Sequence, residues 1–154
     1  MAASYGLVPV ATVHGGRAEV KDDDWGAVEA AIELDARFGP EALASLDAFS
    51  HAVIVFLFDR VPDAKIETGA RHPRNNRDWP LAGIFAQRGK NRPNRIGVSV
   101  CEILGVDGRT LRVRGLDAVD GSPVLDIKPY MTGFEPRGIV REPEWALELM
   151  KGYW

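Results

Sequence analysis

The sequence has very little cysteine: Cys101 is the only one among 154 residues. A single thiol cannot close an internal disulfide, and this usage is typical of a protein kept in a reducing compartment. The first residues hold no cationic segment ahead of an apolar run, so we expect no signal peptide. No apolar run reaches the length that a membrane-spanning helix needs. These absences predict a cytoplasmic protein with no membrane segment.

The common catalytic and cofactor motifs are also missing. There is no Gly-x-Gly-x-x-Gly or Walker sequence, and no Cys/His cluster with the spacing of a metal site. A Gly-x-Ser-x-Gly elbow is absent, and Cys101 lies inside an apolar stretch, where a thiol is a poor nucleophile. Without alternating helices and strands, a Rossmann-type site is disfavoured. We expect no metal, and any cofactor should bind in loops.

Short apolar runs separated by tight turns make up most of the chain. The most apolar run, 49–58, is β-branched and aromatic, which predicts a buried strand. Further strands are predicted at 7–13, 28–34, 98–106 and 111–116, and short helices at 40–46 and 144–150. The pattern predicts one mainly β domain over 1–154, an antiparallel sandwich or barrel with short helices and a C-terminal helix.

Positive charge is concentrated in one part of the chain. Residues 71–95 hold seven Lys or Arg against one Asp, a local charge of +6, whereas the whole chain carries −3. Like charges repel, so a loop that only turned would not gather them. We interpret 85–97 as a loop, stiffened by Pro93, that presents donors to an anionic ligand, with Ile84-Phe85-Ala86 ending a strand before it. The alternative is a solvated basic loop with no special role.

Two neighbouring segments, a turn at 120–123 and an extended stretch at 125–130, present polar groups that could contact a ligand. Asp120-Gly121-Ser122-Pro123 is a tight turn that a ligand could approach closely, because glycine has no side chain. Asp126, Lys128 and Tyr130 then alternate with apolar residues and share one face of an extended segment. That face is either the wall of a polar pocket or a surface strand with one salt bridge.

Three segments resemble a known family: Phe49-Ser50-His51, the block from Phe85-Ala86-Gln87-Arg88 through Arg92-Pro93-Asn94-Arg95-Ile96-Gly97, and Asp120-Gly121-Ser122-Pro123-Val124-Leu125-Asp126-Ile127-Lys128-Pro129-Tyr130. They resemble the TsaA/YaeB-like (TrmO) proteins, S-adenosylmethionine-dependent tRNA methyltransferases built on a β-barrel. The resemblance implies methylation of N6 of a modified adenosine next to the tRNA anticodon. It also implies a cofactor site near a homodimer interface, so tRNA and a second copy of the chain are the expected partners.

The resemblance implies roles for individual residues. Those expected at or near S-adenosylmethionine are Phe58, Asp59, Arg60, Arg88, Arg92, Asn94, Asp120, Gly121, Ser122 and Pro123. The cations expected to hold RNA phosphates are Arg71, Arg74, Arg77, Lys90 and Arg95. Tyr130 and Asp126 are the catalytic candidates: Tyr130 would orient the nucleophile, and Asp126 or Asp120 would accept hydrogen bonds from the methionine ammonium or the ribose.

The chain departs from the family pattern in two ways. Members proven on tRNA usually carry a Pro-Arg-Gln-type segment after the first strand, where this chain has Asp22-Asp23-Asp24-Trp25-Gly26. We interpret that segment as an acidic turn in which Trp25 packs rather than stacks on a ligand. Many members also have a second, C-terminal domain, whereas this sequence ends soon after the predicted barrel. The alternatives are therefore a methyltransferase on another substrate, or a non-catalytic module that binds the cofactor or RNA.

Overall fold

The computed structural model describes residues 1–154 and contains eight strands. These are β1 (Ala11–Gly15), β2 (Glu29–Leu34), β3 (His51–Leu57), β4 (Ala70–Arg71), β5 (Ala82–Gly83), β6 (Ile96–Asp107), β7 (Thr110–Arg114) and β8 (Pro123–Pro129). Six of them close an antiparallel barrel in the order β1-β2-β7-β6-β3-β8, and β4 pairs with β5 in a separate sheet. The predicted small antiparallel β-barrel is confirmed.

Helical structure is short throughout. Single 3₁₀ turns occur at Pro40–Leu43, Leu46–Ala48, Asp63–Lys65, Pro73–Asn75, Ile84–Ala86, Pro93–Arg95 and Thr132–Phe134. The one α-helix, α1 (Glu144–Leu149), lies where the C-terminal helix was predicted. The helix predicted at 40–46 is instead two separate 3₁₀ turns, because Ser45 between them has a left-handed backbone with φ of 69°.

Alternating side chains fill the barrel. In β3, Ala52, Ile54 and Phe56 point inward and are at most 1% exposed, whereas Val53 and Val55 face outward and are half-buried. The other strands add small or branched inward residues, so the interior is a packed core. A ligand must therefore bind at the ends of the barrel or on its outside.

Gly97 in β6 makes room for two aromatic rings. Phe56 and Phe58 meet edge to face with ring centroids 5.2 Å apart. A Cβ at position 97 would lie 2.6 Å from Cζ of Phe56 and 2.9 Å from Cζ of Phe58. The glycine thus allows the strand to pass directly over the ring pair.

The closing seam between β1 and β8 is narrow. Only two register pairs join these strands, Ala11 with Val124 and Thr12 with Pro123. By contrast, β3 and β6 pair along the whole of β3, from His51 to Leu57.

Two strands were predicted at the wrong positions. The first strand begins at Ala11 rather than residue 7, and Leu7 and Val8 are each 67% exposed. Ile84–Ala86 was predicted to end a strand but forms a 3₁₀ turn directly after the two-residue β5. Apolar character misled both predictions, because it marks burial or contact and does not by itself specify an extended backbone.

Candidate functional site

A broad groove of about 2070 Å³ lies beside the end of the barrel where β3 finishes and β6 and β8 begin. Its walls are the basic loop 85–94, the first half of β6, the loop after β3, residues 117–122 and the C-terminal segment 142–154. Pockets for one small molecule usually measure roughly 300–1,000 Å³. The groove therefore has room for a cofactor and for part of a second reactant.

Side-chain hydrogen bonds stiffen the basic loop. Arg92 Nη1 donates to the carbonyl of Gln87 at 2.6 Å, and Arg88 Nη2 donates to the carbonyl of Val98 at 2.6 Å. Gln87 Nε2 in turn donates to the carbonyls of Arg71 and Ala82. Each arginine bonds the backbone through one of its amino groups, so other guanidinium N–H groups stay free for a ligand.

Two buried polar atoms on the same wall have no hydrogen-bond partner. They are Nε of Arg71 and Oδ1 of Asn91, and both residues line the groove. Buried polar groups are normally paired with protein or with water, so these two atoms are available to a ligand or to water in the groove. One is a donor and the other an acceptor, which suits a ligand with polar groups of both kinds.

The turn at 120–123 closes against the groove but uses its polar groups inside the protein. Gly121, with φ of 86°, donates its N–H to the carbonyl of Val13, and Asp120 Oδ1 accepts from the N–H of Gly15. Ser122 is 3% exposed, and its hydroxyl donates to Val119. Of the four predicted residues of this turn, only Ser122 lines the groove, and Asp120, Gly121 and Pro123 do not.

Phe58, Asp59 and Arg60 all line the groove at the end of β3. Arg60 donates to the carbonyls of Ala18 and Asp120, each at 2.8 Å. It therefore ties the loop after β1 to the 120–123 turn beside the groove, and Phe58 packs edge to face on the core ring of Phe56.

The acidic segment Asp22–Asp24 lies on the predicted RNA-binding cations. Asp23 accepts two hydrogen bonds from Arg74, at 2.8 and 3.2 Å, and this pairing raises the pKa of Arg74. Asp22 lies 3.8 Å from Lys90. Folding thus neutralises part of the positive charge that the sequence concentrates there.

The remaining predicted RNA-binding cations differ in their surroundings. Arg95 is paired with Asp63 and lies outside the groove. Arg71 lines the groove and Arg77 is exposed without an ion pair. The groove cations without an ion pair are Arg60, Lys65, Arg71, Arg88 and Arg92. Because Arg74, Lys90 and Arg95 are each paired with a carboxylate, the free positive surface of the 71–95 segment is smaller than predicted.

The same acidic segment holds the C-terminal segment. Asp24 and Trp25 donate their N–H groups to the carbonyls of Gly152 and Tyr153, at 3.0 and 2.8 Å. Trp25 is 2% exposed and its ring N–H donates to the carbonyl of Lys21, so the prediction that it packs is confirmed. The segment is consequently part of the groove wall.

The two predicted catalytic residues lie away from the groove. Asp126 forms an ion pair with Lys128 at 2.8 Å and lines a separate apolar cavity of about 320 Å³. The Tyr130 hydroxyl donates to Glu135, which raises the pKa of Tyr130. Within one copy of the chain, neither residue lines the groove.

Two further polar residues of the groove were not predicted. The Asp117 carboxylate accepts hydrogen bonds from the hydroxyls of Ser99 and Tyr153. Burial raises the pKa of Tyr153, so its hydroxyl keeps the proton that it donates. The available signal was an acid between Leu116 and Ala118, two apolar residues that are both at most 2% exposed.

No three His, Cys, Asp or Glu side chains gather in an arrangement that could hold a metal ion. None of the helices has the length and apolar character required to cross a membrane.

Comparison with known proteins gives concordant matches. The model of the tRNA-methyltransferase O N-terminal domain family matches residues 21–135. A Pyrococcus abyssi protein named a probable S-adenosyl-L-methionine-binding protein is 35% identical over 138 residues, covering 86% of this chain and 72% of that protein. The human tRNA (adenine(37)-N6)-methyltransferase is 34% identical over 102 residues, covering 66% of this chain and 23% of the enzyme.

A solved structure agrees with these matches. The crystal structure of TrmO from Pseudomonas aeruginosa superposes with a TM-score of 0.75 at 28% identity, covering 94% of this chain and 63% of that one. The chain therefore spans less than two thirds of the length of TrmO and about a quarter of the human enzyme.

Proposed function

Because the chain belongs to the tRNA-methyltransferase O N-terminal domain family, we propose that it is an S-adenosylmethionine-dependent methyltransferase. The acceptor we propose is N6 of a modified adenosine next to the tRNA anticodon. One observation carries the proposal: Arg88, Arg92 and Asn94 of the basic loop line the same groove as Ser122 of the 120–123 turn. These are the two segments that resemble the family most strongly.

The groove fits the chemistry of S-adenosylmethionine, which has a carboxylate, an ammonium, a ribose diol and an adenine ring. The free guanidinium N–H groups of Arg88 and Arg92 suit a carboxylate. The unpaired Oδ1 of Asn91 suits an N–H or O–H donor. Phe58 and Phe85 add apolar surface on which a ring can pack.

The protein's contribution to the reaction is mainly positioning. S-adenosylmethionine supplies an activated methyl group, so the acceptor nitrogen needs only to be held in line with it and relieved of its proton. The stiffened basic loop and the two loops tied by Arg60 provide a fixed frame for this. We propose that Phe58, Asp59 and Ser122 contact the cofactor. Asp120, Gly121 and Pro123 act through the shape of their turn.

We propose that tRNA approaches over Arg71, Arg77, Lys90 and the cations beside them. Arg71 and Arg77 have no acidic partner, whereas Arg74, Lys90 and Arg95 would have to exchange Asp23, Asp22 and Asp63 for phosphates. Exchanging one anion for another costs little where both are exposed to water. This partial neutralisation favours, as the second candidate, a methyltransferase on a small molecule or protein that needs no polyanion surface.

We also propose that the protein works as a homodimer. The outward side chains of β3 and β6 form an apolar strip in which Val53 lies opposite Val100 and Val55 opposite Val98. Val98 and Val100 are 42% and 45% exposed and also line the groove, so a second copy seated there would close one side of it. Catalysis by Tyr130 and Asp126 stays a prediction, and it requires the second copy to bring them to the groove.

Sedimentation equilibrium tests the dimer. Replacing both Val98 and Val100 with lysine should give a monomer, because two charges cannot be buried unpaired at an interface. Replacing Ile139, which is 100% exposed and outside the strip, should leave the mass unchanged. A wild-type protein that sediments as a monomer at all concentrations would refute the dimer.

The decisive test of the activity is methyl transfer. Purified protein is incubated with methyl-labelled S-adenosylmethionine and total tRNA. The tRNA is then digested to nucleosides, which are separated and identified by mass spectrometry. We expect label on N6 of a modified adenosine, and less of it with Arg88→Ala or Arg92→Ala than with Arg141→Ala, an exposed control without an ion pair. Cofactor binding without label in any RNA would leave the other substrate class or a non-catalytic module.

Two weaker features agree with this proposal. The buried residues of the barrel form one core cluster, which supports a single domain over 1–154. An RNA acceptor and one unpaired cysteine both fit the cytoplasm.

A further inference from the structure

Among the carboxylates that line the groove, Asp117 has the most fixed orientation. Four acids line it: Asp22, Asp59, Asp117 and Glu142. Asp22 lies near Lys90, and Asp59 and Glu142 are exposed at the rim. Asp117 alone is half-buried and held on both oxygens by neighbouring side chains. Such a carboxylate is fixed in one orientation before any ligand arrives.

Asp117 forms no ion pair. Its two partners, Ser99 and Tyr153, are neutral hydroxyls, and no Lys, Arg or His lies within ion-pair distance. A carboxylate that is removed from water is normally paired with a cation or with several donors. Each carboxylate oxygen has a second lone pair, so Asp117 can still accept from a ligand.

The other acids expected to bind the cofactor are occupied elsewhere. Asp120 accepts from the N–H of Gly15, and Asp126 is paired with Lys128 outside the groove. The donor groups of the cofactor therefore need a different acceptor. Asp117 belongs to the same 116–123 segment and faces the groove.

We infer that Asp117 accepts a hydrogen bond from a donor of the bound nucleoside cofactor, and that Tyr153 positions it. The inference rests on the proposed function. The donor is either the ribose diol or the methionine ammonium, both of which suit a fixed anionic acceptor. Tyr153 lies beyond residues 21–135, which match the family model, so the C-terminal segment of this chain completes a site that the family domain begins.

Tyr153 is well held for this role. Its carbonyl accepts the N–H of Trp25 at 2.8 Å, and its N–H donates to the carbonyl of Met150 at 3.1 Å. A Cβ on Gly26 would lie 2.6 Å from the carbonyl carbon of Trp154, so the segment sits directly on that glycine. Tyr153 acts through Asp117 and is a positioning residue.

Titration calorimetry on the full chain tests the inference, with S-adenosylmethionine as the ligand. Asp117→Asn should weaken binding about 10- to 100-fold, because the amide loses the charge and one acceptor site. Asp107→Asn, which changes an exposed acid without an ion pair at the end of β6, should bind like the wild type. Thermal unfolding checks that each variant is folded.

A second variant separates positioning from structural damage. Tyr153→Phe should weaken binding by less than Asp117→Asn, and the double variant should bind no more weakly than Asp117→Asn alone. This non-additivity is expected only if Tyr153 acts through Asp117. Additive losses would overturn the positioning role.

A parallel titration with 5′-methylthioadenosine identifies which group of the cofactor donates the hydrogen bond to Asp117. This analogue keeps the ribose and lacks the amino acid. If Asp117→Asn weakens its binding as well, the ribose is the donor, and if only S-adenosylmethionine binding falls, the ammonium is. Equal binding of S-adenosylmethionine by Asp117→Asn and Asp107→Asn overturns the inference and leaves the proposed function intact. No binding by the wild type removes both.

Discussion

Replacing Gly97 with alanine would put a methyl group into the ring pair beneath β6. The new Cβ would lie 2.6 and 2.8 Å from two carbons of Phe56 and 2.9 Å from one of Phe58. Carbon atoms in favourable contact are about 3.5–4.0 Å apart, so the rings or the strand must move by roughly 1 Å. Phe56 is 1% exposed, so its ring cannot move aside without displacing other core residues.

Overpacking of this kind costs about 1–3 kcal/mol of unfolding free energy. Each kcal/mol lowers the melting temperature of a domain of this size by about 2–4 °C. Urea unfolding at constant pH measures the loss directly. Because Phe58 lines the groove, we also expect weaker binding of S-adenosylmethionine by Gly97→Ala.

Gly133→Ala is the matched control. A Cβ there meets nothing within 4 Å, and Gly133 does not have a positive φ. It should be neutral or slightly stabilising. Phe56→Leu added to Gly97→Ala should recover part of the loss by removing ring atoms. A Gly97→Ala protein as stable as Gly133→Ala would refute the packing argument.

Three further predictions concern charge and hydrogen bonding. Burial raises the pKa of Cys101 to about 12 from 9.0, so the unfolded chain loses this proton first as pH rises. Stability should therefore fall by about 1.4 kcal/mol per unit above pH 9, less steeply in Cys101→Ala, as measured by urea unfolding at several pH values. The double variant Asp22→Asn, Asp23→Asn frees Lys90 and Arg74 and should tighten tRNA binding. In filter-binding assays, the slope of the logarithm of the binding constant against the logarithm of the salt concentration should become steeper by about 1 to 2. An unchanged slope would exclude these cations from the RNA surface. Arg60→Ala removes hydrogen bonds to Ala18 and Asp120 and should cost about 1–2 kcal/mol by urea unfolding, whereas a change no larger than that of Arg141→Ala would contradict its tying role.

The barrel could be predicted because its strands carry local signals. The run of β-branched and aromatic residues in β3 and the Asp107-Gly108 turn between β6 and β7 are visible within a few residues. Strands β4 and β5 could not be found, because two residues are too few to show alternation. Their pairing depends on a loop held by Gln87.

The site could be predicted only in part. The basic loop was evident from its charge, but its neutralisation was not, because Asp23 and Arg74 are 51 positions apart. Asp117 could not be identified from the sequence, because its partners Ser99 and Tyr153 come from distant segments. Composition records which charges exist, whereas long-range folding decides which of them meet.

The short β1–β8 seam has a consequence for motion. One of its two register pairs contains Pro123, which has no N–H to donate. Local opening of the barrel should therefore start there, and the amides of Ala11 and Val124 should exchange with solvent deuterium sooner than those of Ile54 in β3. Since the seam adjoins the 120–123 turn, the same fluctuation would also loosen that turn and the part of the groove wall that Ser122 forms.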